Sequence, residues 1–141
     1  MEAEKARQRT RVSAERMRIA SESARTNAQA QANSELEALQ ASIEAAAKLE
    51  RQAIDRSIDE AANIGRNWAN HKSTERISAS RTSRQEIAFI EAIADATTAQ
   101  VVASLQADGF DVSIRSAEEV DPRDNANAPP EYYETYFSVK W

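Results

Sequence analysis

The sequence predicts a mainly α-helical protein. A long helical stem, a helical hairpin or coiled coil, leads to a small module of one helix and a two-stranded antiparallel β-hairpin. Three observations predict this. The 141-residue chain has 2 Gly and 3 Pro, none of the prolines before residue 122, and loops depend on both residue types. Apolar residues recur at heptad spacing in residues 36–68. After Gly109 the apolar period changes from 3.6 to 2, which indicates strands.

The stem is predicted to cover residues 1–72, and its first part, 1–35, is basic and polar. This part is rich in Ala, Arg, Gln, Glu and Ser and contains no helix breaker, so its helix propensity is high. The positions at heptad spacing are small or polar, apart from one methionine: Ala3, Ala6, Thr10, Ser13, Met17, Ala20 and Ala24. A helix without a core of its own frays in water. We therefore expect packing against another chain to hold it.

Residues 36–68 form the heptad-like second part of the stem, with a stripe that alternates steps of four and three. The predicted oligomer seam consists of Leu36, Leu39, Ile43, Ala47, Ile54, Ala61, Ile64 and Trp68. Glu50 and Ser57 interrupt the stripe. A polar residue inside a seam fixes register or the number of partners. Alternatively, the stripe of a straight helix drifts past such positions, and both interpretations stay open.

The second predicted helix covers about residues 83–107, with a possible start at residue 75. A polar stretch at 65–74 is the candidate turn between the two helices. Ser83 and Glu86 match a capping box at the start of the second helix. Gly109 stands where a left-handed residue ends a helix. These signals define a C-terminal module of residues 73–141.

The end of the module is predicted to form two strands. Apolar and polar residues alternate in 110–115 and again in 132–141, on either side of a polar loop at 117–131. A two-stranded hairpin is marginal alone and needs a helix on its apolar face. Tyr132 and Tyr136 fall on the opposite face. Exposed aromatic residues favour protein contacts, so we predict that these two tyrosines contact a partner.

The basic N-terminus is the one feature of the sequence that indicates nucleic-acid binding. Residues 1–26 carry seven basic and four acidic residues, in a chain whose net charge is -5. Cations on a helix bind phosphates in a salt-dependent manner. The possible phosphate contacts are Arg7, Arg9, Arg11, Arg16 and Arg18. The interspersed glutamates and the lack of a DNA-reading motif favour solubilising or interhelical roles instead.

The sequence offers little for catalysis or metal binding. It has no cysteine, and its only imidazole, His71, lies in the polar candidate turn, where we expect a surface residue. No glycine-rich phosphate loop or nucleophile motif is present. The loop at 117–131 contains oxygen ligands suited to calcium, but their spacing does not match an EF-hand. We therefore predict no catalytic residue, no cofactor and no metal.

These observations favour a non-enzymatic structural protein that self-associates and docks on other protein subunits of an assembly. A nucleic-acid-associated adaptor that uses the Arg-rich helix is the alternative. In general build, a long polar helix ending in a small β module is similar to minor virion, neck and tail proteins of tailed phages. No apolar run of the length that spans a bilayer and no signal peptide stand out. We expect a location in the cytoplasm, or in a virion assembled there.

Overall fold

The computed structural model describes residues 2–77, 83–120 and 130–141. The elements in chain order are α1 (Glu2–Asn63), β1 (Trp68–Arg76), α2 (Arg84–Ala107), β2 (Asp111–Glu119) and β3 (Tyr132–Lys140). The protein is therefore mostly helical, as predicted, with one long helix, a second helix and an antiparallel sheet of three strands. The chain divides into two compact units, the N-terminal unit Met1–Ala41 and the C-terminal unit Ser42–Trp141.

The sheet has the order β1-β3-β2, with β3 antiparallel to both neighbours. The sequence predicted two strands near the positions of β2 and β3 but missed β1. This strand occupies residues predicted as a turn and as a possible helix start, and it crosses the predicted domain boundary at residues 72 and 73. Its inward positions begin with Ala69, His71 and Ser73. Because only one of these is apolar, the alternation that marks a strand is too weak to recognise.

Both glycines of the chain end a helix with positive φ, +80° at Gly65 and +90° at Gly109. After α2, the amide of Gly109 bonds to the Gln106 carbonyl and the amide of Phe110 to the Leu105 carbonyl. The same pair of bonds follows α1 around Gly65. This is the Schellman arrangement, which requires a left-handed residue that glycine adopts without strain. The predicted end of α2 is confirmed.

The start of α2 is also as predicted. The Ser83 hydroxyl accepts a hydrogen bond from the backbone amide of Glu86 at 3.1 Å, with Ser83 itself in an extended conformation. This bond satisfies one of the amides that lack a partner in the first turn of a helix. The helix therefore begins at Arg84 and does not extend back to residue 75.

The core of the C-terminal unit forms where the last turns of α1 meet α2 and one face of the sheet. Its buried members come from all of these elements except β2: Ala47, Ile54, Ile58, Ala61, Ala69, Val101, Leu105, Phe137 and Val139. Val112 of β2 packs against this cluster together with Val102 and Phe110. The apolar spacing in the second part of α1 thus faces the sheet and α2 of the same chain.

Polar contacts fix α1 on this core. Glu50 Oε1 lies 2.6 Å from His71 Nε2, so the residue that interrupts the predicted seam is the partner of an imidazole on β1. His71 is half-buried, with its ring centroid 6.1 Å from that of Phe137, and the prediction of a surface residue in a turn is wrong. The other interruption, Ser57, donates to the carbonyl of Ala53 one turn earlier. Neither polar residue needs a second chain to explain it.

Among the described helices, α2 is long and apolar enough to cross a membrane by length and composition alone. The core helix of a globular unit meets the same criterion, and α2 buries Val101 and Leu105 against α1 and the sheet. The sequence-based expectation of a protein outside the membrane stays a prediction.

Candidate functional site

The residues of the predicted seam lie in different surroundings. Ala47, Ile54 and Ala61 are buried in the core of the C-terminal unit. Their burial within one chain accounts for their spacing without a second copy. Ile64 and Trp68 lie beyond the last residue of α1, in the turn and at the start of β1, so they do not continue a helical stripe. A role of these residues in self-association stays a prediction without a geometric basis.

The three remaining seam residues precede the core. Leu36 is exposed, whereas Leu39 and Ile43 are half-buried. Of the eight predicted positions, Leu36 is thus the one helical residue that presents most of its side chain to solvent. A contact between Leu36 and another molecule stays a prediction.

The N-terminal unit is a helix with an exposed surface throughout most of its length. Every residue from 2 to 38 is exposed, including Val12, Met17 and Ile19. Its polar contacts are local, such as the Arg18 guanidinium held between the carboxylates of Glu15 and Glu22. These carboxylates raise the pKa of Arg18, and its guanidinium in turn holds the pKa of Glu15 below its usual value.

The five predicted phosphate contacts do not share one side of this helix. At about 3.6 residues per turn, Arg7, Arg11 and Arg18 align along one side, while Arg9 and Arg16 align almost opposite. Arg18 is already paired with two carboxylates. A single duplex would meet only one of the two rows. This arrangement does not favour nucleic acid, although phosphate contact by these arginines stays a prediction.

The second candidate surface is the face of the sheet opposite the core, here called the open face. Its residues are exposed or half-buried in all three strands. The register places three large side chains in one row across the sheet, with Tyr136 of β3 between Lys72 of β1 and Arg115 of β2. The neighbouring row consists of Asn70, Ser138 and Ser113.

Contacts within the open face orient its charged row. The Arg115 guanidinium stacks over the Tyr136 ring, 4.4 Å from the centroid. The Tyr136 hydroxyl donates to the carboxylate of Glu134, which raises the pKa of the tyrosine. Lys72 Nζ lies 3.6 Å from the same carboxylate. Tyrosine and arginine are thus held in place by each other and by their neighbours.

Tyr132 and Tyr136 both lie on the open face, as the alternation in the sequence predicted, while Thr135, Phe137 and Val139 are buried on the other face. Both tyrosines are half-buried. Contact of these tyrosines with a partner protein stays a prediction.

Lys72 and Arg115 were not recognised from the sequence. Lys72 falls in the segment that was interpreted as a turn. Arg115 lies in a predicted strand, but the sequence contains no signal for the register that places it beside Tyr136. Alternating polar residues in two strands indicate a solvated face, and only their pairing shows which residues meet.

A cluster of ionisable groups lies between α2 and the covered face of the sheet. Arg84 donates to Glu118 at 2.6 Å, and the Tyr133 hydroxyl donates to Asp95 at 2.7 Å. Burial and then a hydrogen bond with Glu118 raise the pKa of Glu91 to about 7. Arg84 and then Glu91 lower the pKa of Glu118. Below neutral pH this pair of carboxyl groups therefore shares one proton, which stays mainly on Glu91.

We expect Glu91→Gln to stabilise the C-terminal unit at pH 8 and to have little effect at pH 5. Between pH 4.5, the ordinary pKa of this group, and about 7, the native Glu91 holds a proton that the unfolded chain releases. The free energy of unfolding therefore falls as pH rises through this interval. Glutamine is uncharged at every pH and offers an amide hydrogen to Glu118.

The measurement is urea unfolding of both chains at the two pH values. Glu86→Gln on the same helix serves as the control, because Glu86 is exposed in the first turn. Equal destabilisation by Glu91→Gln at both pH values would contradict the assignment of the proton.

The residues that the structure describes contain no group of three or more His, Cys, Asp or Glu side chains arranged to hold a metal ion. Of the oxygen ligands in the predicted loop, Glu118 and Glu119 belong to β2, and residues 121–129 lie outside the described residues. The absence of catalytic residues, cofactor and metal stays a prediction. Comparison of the chain with models of protein families, with curated proteins and with solved structures finds no match.

Proposed function

We propose that this protein is a non-enzymatic assembly component whose N-terminal helix packs against the same helix of further copies. The observation that carries the proposal is the exposure of every residue from 2 to 38. A helix that is polar all round and has no packed side is not stable by itself unless many side-chain pairs support it. The described pairs on this segment are exposed, and exposed ion pairs contribute little.

The heptad row of small residues supplies a surface for such packing. Met17 is its largest member and is 71% exposed. The small residues on either side, Ser13 and Ala20, allow close approach of a second helix, and a methionine adapts its shape to the gap. In this proposal the C-terminal unit docks on another subunit of the assembly. A minor virion component is the setting that the general build of the sequence favours.

We expect Met17→Asp to dissociate the oligomer. The substitution introduces a carboxylate into the row that packs between copies, and burial of an unpaired charge is unfavourable. Thr26→Asp is the matched control, because residue 26 lies nine residues, or two and a half turns, further on and therefore on the opposite side of the helix. It makes the same change of charge and leaves the row intact.

The measurement is native mass by light scattering over a range of concentrations, together with helicity by circular dichroism. The intact chain and Thr26→Asp should share one mass above that of the monomer, and Met17→Asp should have the monomer mass and lower helicity. A monomeric intact chain that keeps its full helicity on dilution rules out the proposal. If Met17→Asp leaves the oligomer unchanged, the copies contact each other through a surface other than this row.

The same samples address the nucleic-acid alternative. Retention of the monomeric chain on heparin, lost at moderate salt, would favour the adaptor that uses the Arg-rich helix, because phosphate contacts are sensitive to salt. Self-association through small and apolar residues should persist in salt, since screening acts on exposed charges.

A further inference from the structure

The open face of the sheet contains a depression of about 450 Å³. Its floor is the row of small side chains, Asn70, Ser138 and Ser113, and the row beside it contains Lys72, Tyr136 and Arg115. The row on the other side consists of Trp68, Lys140 and Asp111. A row of small residues between two rows of longer side chains leaves a trough across three strands. Its volume falls in the range of small-molecule sites, roughly 300–1,000 Å³.

The polar side chains that line this depression on the open face share one kind of chemistry, whereas His71, Ile114 and Phe137, which also line it, belong to the other face of the sheet. Lys72 and Arg115 provide positive charge, and the floor provides two hydroxyls and an amide. None of the lining residues is a carboxylate, although the chain as a whole has a net charge of -5. Among the described residues, Glu134 already accompanies Lys72, whereas Arg115 forms no ion pair. The positive charge of Arg115 is therefore left for a ligand.

We infer that this depression, here called the sheet-face pocket, binds an anionic group of the carboxylate or phosphate class. The anion lies over Ser138, where the floor donates hydrogen bonds and Arg115 reaches it from one side. Lys72, which contacts Glu134 in the structure, turns toward the anion from the other side. Arginine presents two parallel N–H groups that match a carboxylate or a phosphate. The inference is independent of the proposed self-association, because all of these residues belong to the C-terminal unit.

The backbone geometry allows this convergence. Strands lie about 4.8 Å apart, so Lys72 and Arg115, on either side of β3, start roughly 10 Å apart. Adjacent rows on one face are separated by about 7 Å along the strand. Both side chains are long enough to bend toward the small row from this distance. Stacking on Tyr136 restricts the Arg115 guanidinium, which lowers the entropic cost of fixing it on a ligand.

The test is titration of the full chain with two probes, inorganic phosphate and succinate, in a buffer of low ionic strength. Calorimetry measures affinity, and amide chemical shifts of Asn70, Ser113 and Ser138 locate the ligand. We expect saturable binding of at least one probe with shifts confined to this row. Preference for phosphate points to a phosphorylated ligand, and preference for succinate to a carboxylic acid. Absence of saturable binding by either probe overturns the inference.

Three variants distinguish binding of the anion in the sheet-face pocket from nonspecific electrostatic attraction to the protein surface. Arg115→Gln should weaken binding roughly tenfold or more, as expected for loss of a charge-assisted hydrogen bond. Arg76→Gln changes the charge equally on the same face, two rows beyond Lys72, and should leave the affinity unchanged apart from screening.

The third variant, Ser138→Val, retains every charge but fills the floor with methyl groups and removes a hydroxyl. Valine suits a strand, so this variant should fold while binding is lost. If Arg76→Gln weakens binding as much as Arg115→Gln, or if Ser138→Val binds normally, the attraction is diffuse and the pocket is not a site.

Discussion

Ile54→Asp is expected to unfold the C-terminal unit at room temperature. The Ile54 side chain is 0% exposed and lies in the cluster formed by α1, α2 and the sheet. Its neighbours in that cluster are apolar, so a carboxylate at this position has no partner. The cost of burying it is on the order of 5 kcal/mol. This is comparable with the whole stability of an ordinary domain, about 5–15 kcal/mol.

Leu49→Asp is the matched control on the same helix, because Leu49 is 68% exposed. An exposed substitution of this kind changes the free energy of unfolding by about 0.5 kcal/mol or less. Near-ultraviolet circular dichroism and urea unfolding measure the packing of the unit, and light scattering measures mass. Ile54→Asp should lose tertiary packing even in a chain that is monomeric.

A different experimental result would assign Ile54 to a seam between copies of the chain. In that case Ile54→Asp would lower the native mass and leave the tertiary packing of the C-terminal unit intact. Loss of packing before any loss of mass supports the intramolecular core.

The heptad stripe shows which structural information the periodicity of a sequence carries and which it does not. The spacing of Ala47, Ile54 and Ala61 correctly indicated a buried side of α1. It did not indicate the partner, because a helix buries the same stripe against a second helix, a sheet or another copy. Glu50 was ambiguous for the same reason, since its partner His71 lies on a strand that the sequence did not reveal.

The parts predicted best are those with local physical signals. The cap at Ser83 and the left-handed glycine after α2 depend on residues within one or two turns. The two C-terminal strands were recognisable because large apolar residues alternate in them. β1 depends instead on pairing with β3, which lies 66 residues later at the point where His71 meets Phe137. This partner strand supplies the apolar side chains that β1 lacks.

The sheet-face pocket could not be predicted from the sequence for a related reason. Its two cations come from strands that are not adjacent in the sheet, and each would look like an ordinary solvated residue by itself. Only the common register with Tyr136 brings Lys72 and Arg115 into one row.

The covered face of β3 ends before Trp141. Alternation places this residue on the side of Phe137, but Trp141 is 40% exposed, with its ring edge-on to Phe110. It follows the last paired residue of β3, and its amide bonds to the Asn67 carbonyl. Deep burial begins two residues earlier, at Val139, which is 0% exposed.

Phe137→Ala and Tyr136→Ala should therefore have very different effects, although the two residues are adjacent in β3. Phe137 is 2% exposed and lies in the core cluster. Its truncation leaves a cavity below α1 and α2 and should cost about 3–5 kcal/mol. Tyr136 points to the open face, where its removal takes away a stacking partner of Arg115 and a hydrogen bond to Glu134. We expect a much smaller loss of stability.

Urea unfolding of the two variants, followed by near-ultraviolet circular dichroism, measures this difference directly. Tyr136→Ala should keep the cooperative transition of the intact chain and be impaired in binding anions, because Arg115 loses the ring that orients it. Phe137→Ala should shift the transition to much lower urea. If Tyr136→Ala is the more destabilising change, the two faces of β3 are reversed. Both the core and the sheet-face pocket would then be assigned to the wrong faces, because alternation along one strand determines both.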